Sequence, residues 1–131
     1  MPLALPALLT LLAVLWYSIT GMQVGRARVK YKVPAPATTG NAAFERAFRV
    51  QMNELEQLVA FLPPMWLFAW FGNPRWAAIA CAIWLAGRVV YAVGYWTEAG
   101  KRHTGFMISS AMLGITWVAA LIGVLRALAI T

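Results

Sequence analysis

Two short segments combine residue types that an apolar chain has little reason to carry. The first is Arg49-Val-Gln-Met-Asn-Glu-Leu-Glu-Gln57, which opens a run that stays apolar as far as Phe71. On a helix, Arg49, Asn53 and Glu56 share one face, at i, i+4 and i+7, while Gln51 and Glu54 fall on other faces. The second is Arg88-Val-Val-Tyr-Ala-Val-Gly-Tyr95, where Arg88, Tyr91 and Tyr95 share a face at i, i+3 and i+7. Polar groups inside apolar spans are costly and mark either an internal ion pair or a polar site. An Arg at the depth of Arg88 is expected to face protein, with a carboxylate of the preceding span as partner. Arg102 lies fourteen residues beyond Arg88. A continued helix would place it on the same stripe, about 21 Å further along. Each feature also has a plainer reading. Glu54 or Glu56 can pair with an Arg simply to hold helices together, Tyr91 and Tyr95 can form an interfacial aromatic belt, and Arg102 can be a loop charge that sets topology.

Other chemistries find no anchor. His103 has no second His, Cys or suitably spaced acid beside it, so no metal site is expected. There is no Gly-x-Ser-x-Gly and no phosphate loop. The one cysteine, Cys81, lies in an apolar run and reads as a buried, inert thiol.

The elements that must position these residues follow from composition. Of 131 residues, 62% are apolar and 11% charged, against about 45–50% and about 25% in a soluble domain. That balance excludes disorder, a disulfide scaffold and an ordinary cytosolic enzyme. It predicts an all-α, integral membrane four-helix bundle in a single domain, residues 1–131, with spans at about 3–24, 49–71, 76–96 and 106–130. The first span has no Lys or Arg ahead of it, so it reads as a retained helix rather than a secretory signal. Pro63-Pro64 predicts a kink in the second span. Val33-Pro-Ala-Pro-Ala-Thr-Thr-Gly40 is not expected to be helical, and Phe71-Gly-Asn-Pro-Arg75 reads as a tight turn. The net charge of +7 sits between the apolar runs, which fits membrane orientation better than nucleic-acid binding. Loops 25–48 and 98–104 hold nearly all the basic residues that lie outside the spans, so both are expected in the cytoplasm, with both termini on the opposite side. No organelle signal is recognisable, which points to a bacterial inner membrane.

The order of these motifs resembles one family. Phe44-Glu45-Arg46, then Arg49, Gln51, Asn53 and Glu56, is similar to the signature of the membrane-associated proteins in eicosanoid and glutathione metabolism (MAPEG). The Arg88, Tyr91, Tyr95 segment followed by Arg102 resembles that of its leukotriene C synthase and microsomal glutathione transferase members. The resemblance implies a homotrimer that binds glutathione between subunits. It assigns Arg49, Asn53, Glu56, Tyr91 and Tyr95 to the tripeptide, and brings Gln51 and Arg28 from the neighbouring subunit. Arg88 corresponds to a structural or binding arginine, and Arg102 to the arginine that activates the thiol. Two positions depart from the leukotriene pattern: Gln57 replaces a tyrosine, and Val29 replaces a second arginine, a role that Arg26 is then a candidate to fill.

These residue types suit glutathione. Arginine forks match its carboxylates, Glu56 can hold its ammonium, and Asn53 and Gln51 can satisfy its peptide groups. A guanidinium beside sulfur favours the thiolate, the true nucleophile, and Arg102 stays charged throughout. The function implied is conjugation of glutathione to a lipophilic electrophile in detoxification, with reduction of lipid hydroperoxides as a second use of the same thiolate. A non-catalytic lipid- or glutathione-binding protein of the same fold is the alternative. A transporter is disfavoured, because the first span carries no carboxylate and no repeat is visible.

Overall fold

The computed structural model describes residues 2–131. Four α-helices follow one another: α1, Ala4–Tyr31; α2, Ala42–Phe71; α3, Pro74–Thr97; and α4, His103–Ile130, with a short 3-10 turn, Ala99–Arg102, before α4. The central pair, α2 and α3, packs together and against both outer helices, whereas α1 and α4 make no substantial contact with each other. Residues on α2 and α3 therefore have neighbours on several sides, and the candidate residues at 49–57 and 88–95 lie on these two helices.

The helices begin where the chain supplies its own caps. The Asn41 side chain accepts from the amides of Ala43 and Phe44 at 2.9 and 3.1 Å. Asn73 does the same for Arg75 and Trp76 at 2.9 and 3.2 Å, with Pro74 in the first turn of α3. Both satisfy amide donors that a helix start otherwise leaves open. The turn at 71–75 is as short as expected, and residues 33–41 are non-helical as expected.

Two boundaries differ from the sequence reading. α1 continues to Tyr31 instead of ending near residue 24, and α2 starts at Ala42 instead of 49. The fall in hydropathy marks where apolar surroundings end, not where the helix ends. Arg28 and Lys30 in the last turn of α1 also suit the negative end of its dipole. Helix α2 is unbroken through Pro63 and Pro64.

Three segments are long and apolar enough to cross a membrane: Ala4–Tyr31, Pro74–Thr97 and Ala99–Ile130. The 30-residue α2 has the length, but its polar first half leaves it short on apolar content. Within that half, Asn53 and Glu54 turn inward to Arg88 on α3, while Arg49 and Glu56 stay exposed. Below them the core is apolar, with the Phe61 and Trp84 rings stacked at 4.3 Å and Met65, Ala77 and Cys81 fully buried around them. The indole of Trp84 donates to Gln57 Oε1 at 3.2 Å, so Gln57 serves the core.

Candidate functional site

The centre of the polar layer is Arg88, which is 0% exposed. Its Nε donates to Glu54 Oε2 at 3.0 Å, its Nη1 to Ser109 Oγ at 3.2 Å and its Nη2 to Asn53 Oδ1 at 2.7 Å. Its guanidinium carbon also lies 4.2 Å from the Tyr91 ring centroid. One side chain thus ties α2, α3 and α4 together. Its partner carboxylate is Glu54, which is also fully buried and lies off the Arg49–Asn53–Glu56 face. For Glu54, the plain helix-holding reading of a span-two carboxylate is the right one. Among the described residues, Glu54 Oε1 has no hydrogen-bond partner.

Two glycines let α4 come close enough for this. A Cβ on Gly87 would meet Ile108 Cγ2 at 2.8 Å and the Ser109 amide nitrogen at 3.0 Å, and one on Gly105 would collide with the backbone of Tyr91. Close backbone approach through small residues is the usual device for packing helices in lipid. Here it delivers Ser109 to Arg88. Sequence reasoning missed Ser109, and only the Gly105/Ser109 spacing of one turn hints at a small-residue face on α4.

From Arg88 a continuous path of contacts runs outward. In one direction, Asn53 holds Arg88 through its oxygen and donates through Nδ2 to Glu56 Oε2 at 3.4 Å. In the other, Tyr91 meets Tyr95 edge-on at 5.6 Å, and the Arg102 guanidinium lies over the Tyr95 ring at 5.2 Å. The structure thus links Glu56, Asn53, Arg88, Tyr91, Tyr95 and Arg102. Glu56 and Arg102 are exposed at the two ends, and Arg88 is buried in the middle.

Arg102 gets there by a different route from the one the spacing suggests. Helix α3 does not continue past Thr97. Glu98 is extended, at φ −158°, and the 3-10 turn then folds back over Gly94, where any Cβ would collide with the Lys101 carbonyl. A continued helix would have carried residue 102 about 10 Å beyond Tyr95. The return brings its guanidinium onto the Tyr95 ring instead.

The remaining candidates lie elsewhere in the chain. Arg49, one helical turn before Asn53, is exposed. Gln51 faces α1, where a Cβ on Gly21 would approach its Nε2 to 3.0 Å. Arg28 closes the loop after α1, donating through Nη1 to the carbonyls of Ala37 at 2.7 Å and Val33 at 3.3 Å, and it stacks on Phe44 at 4.8 Å. Arg26 lines a separate groove with Lys30 and Trp96. Arg26 and Arg28, two residues apart, point about 200° from each other around α1. Among the described residues, no three His, Cys, Asp or Glu side chains come together as a metal site would require.

Known proteins resemble this chain over most of its length. The chain is 52% identical over 120 residues to an uncharacterised protein of Synechocystis, covering 92% of this chain and 88% of that one. It is 40% identical over 118 residues to human microsomal glutathione S-transferase 2, covering 90% and 80%. It is 34% identical over 122 residues to guinea-pig leukotriene C4 synthase, covering 93% and 81%. The profile of the MAPEG family matches residues 6–122, and the chain belongs to that family.

Proposed function

We propose that the protein is a membrane glutathione transferase that joins the glutathione thiolate to a lipophilic electrophile. The observation that carries this is the contact path from Glu56 through Arg88 to Arg102, which pairs a carboxylate and an amide at one end with an exposed guanidinium at the other. Glu56 holds the ammonium of glutathione and Arg49 a carboxylate, while Asn53, Tyr91 and Tyr95 line the tripeptide. Each of the three Arg88 nitrogens already bonds protein, so its part is to orient Asn53 and Tyr91. The Arg102 guanidinium lies beside the sulfur and favours loss of the thiol proton to solvent. The thiolate then attacks the electrophilic carbon. A carbon–sulfur bond forms, and the leaving group departs with its electron pair. Holding both reactants in one orientation supplies much of the acceleration.

The site is completed by a second copy of the chain. Gln51 points to α1 while Asn53, two residues on, bonds Arg88 on α3. Gln51 and the Arg49–Asn53–Glu56 face therefore lie on nearly opposite sides of α2, and one copy cannot turn both to the same ligand. A homotrimer in which Gln51 and Arg28 meet the neighbour's ligand resolves this. The exposed apolar side chains along α1 and α4, such as Leu11, Leu15, Trp117 and Leu128, suit lipid and neighbouring subunits. The lipophilic substrate then enters sideways from the bilayer. In this reading loops 25–48 and 98–104 face the cytoplasm at a bacterial inner membrane, with both termini opposite, and the basic residues of those loops support it.

The test is conjugation of 1-chloro-2,4-dinitrobenzene to glutathione by the detergent-purified protein, beside Arg102→Ala. The expected result is turnover in the parent, and a loss of about tenfold or more in the variant with glutathione affinity held within several-fold. Glutathione binding without turnover in either protein would replace this reading with a non-catalytic binder. A variant that loses binding but keeps its turnover per bound site would remove Arg102 from thiol activation.

A further inference from the structure

A groove lies away from this path, beside the basic end of α1. It has a volume of about 340 Å³, and its walls include Gln23, Arg26, Lys30, Tyr31 and Trp96, with the small side chain of Ala47 in its floor. Residues 23, 26 and 30 recur at helical spacing along one face of α1, whereas Arg28 lies on the other side, bonded to its loop. No carboxylate lines the groove. Among the described residues, the ion pairs are Arg88 with Glu54 and Lys101 with Glu98, so neither Arg26 nor Lys30 has an anionic partner. Lys30 instead lies over the Tyr31 ring at 5.3 Å. Arg46 is not available to the groove in the same way, because its Nε donates to the Trp96 carbonyl at 3.3 Å.

The position of the groove decides what it suits. It sits where α1 passes from its apolar stretch into the basic segment after Val24, so its inner part is level with the apolar span and its outer part with the charged end. Trp96 and Tyr31 have the amphipathic rings favoured at a membrane–water boundary. Arg26 and Lys30 are exposed and about 6 Å apart along the axis, close enough to share one phosphate. Two unpaired cations beside aromatic rings, at the basic end of a helical bundle, match a phosphodiester headgroup whose acyl chains continue down the apolar surface of α1.

We propose that this groove is a binding site for the headgroup of an anionic phospholipid, held by Arg26 and Lys30. The site shares no residue with the proposed glutathione site and does not depend on it.

The experiment presents the purified full chain with detergent micelles carrying phosphatidylglycerol or phosphatidylcholine, and reads retained lipid by native mass spectrometry. The parent is expected to retain phosphatidylglycerol preferentially. Arg26→Gln with Lys30→Gln should lower that retention by about tenfold or more, while Lys32→Gln, outside the groove, should leave it unchanged. Each single substitution is run as well, so that a double variant that does not fold still leaves a readout, with several-fold loss expected from each. Undiminished retention in the folded variants would overturn the proposal, as would an equal loss in Lys32→Gln. Displacement of the lipid by an equal concentration of inorganic phosphate would also overturn it, in favour of a free-anion site.

Discussion

Arg88 and Arg102 flank the same pair of tyrosines, yet their surroundings are opposite. Arg88 is fully buried and bonds three side chains on two other helices. Arg102 is exposed, sits on a four-residue turn and has the Tyr95 ring as its nearest described partner. A guanidinium with its donors committed to protein positions its neighbours and has little capacity left for a substrate. One that keeps its donors free can meet a developing anion. The same residue type is thus a structural pin at one end of the path and, in the proposed function, the contact to the thiol at the other. The difference comes from what the flanking glycines allow. Gly87 and Gly105 bring α4 against Arg88, while Gly94 lets the turn fold Arg102 back.

The sharpest way to break this contrast is Arg88→Met, which leaves Glu54 buried with no countercharge. Loss of one member of a buried pair costs roughly 3–5 kcal/mol. A large fall in the unfolding temperature in detergent, followed by circular dichroism, is expected, with partial recovery when Glu54→Leu is added. Arg102→Ala should leave that temperature nearly unchanged. Equal destabilisation by the two substitutions would erase the distinction.

Glu56→Gln comes next. It removes a charge from the exposed end of the path, where a charge-assisted hydrogen bond is worth about 1.5–3 kcal/mol. Glutathione affinity by calorimetry should fall by about tenfold or more, with the fold intact. Unaltered affinity would take Glu56 out of the site.

Gly94→Ala has the smallest expected effect. Its Cβ would collide with the Lys101 carbonyl, so the turn must shift, at a cost of about 1–3 kcal/mol. In the proposed function Arg102 acts on the thiol through its position, so turnover should fall while the KM for glutathione holds. A KM that rises with turnover unchanged would mean that the turn supports binding and not thiol activation.

Much of the fold is legible without coordinates. The prolines at 34 and 36 exclude helix from the first loop, Phe71-Gly-Asn-Pro-Arg75 marks a tight turn, and apolar runs of bilayer length require helices. The contents of the path are legible too, because Asn53, Glu56, Arg88, Tyr91, Tyr95 and Arg102 stand out by type and spacing. What spacing could not supply is the partner of each. Helical periodicity says which residues share a face, but not which helix that face meets. Glu54 therefore looked off the face, although it is the residue that binds Arg88.

The sequence by itself determined the helices, the loops between them, the family motifs and the set of polar residues that apolar surroundings make expensive. Each of these depends on residue type and on neighbours within a turn or two of the chain. Only the tertiary structure decided that Arg88 closes on Glu54, Asn53 and Ser109, that Arg102 returns to Tyr95, and that Arg26 and Arg28 part to different sides of α1. Those outcomes depend on the distance and rotation between helices. Glycines at the crossings set that distance, and a backbone contact carries its effect to residues far apart in sequence.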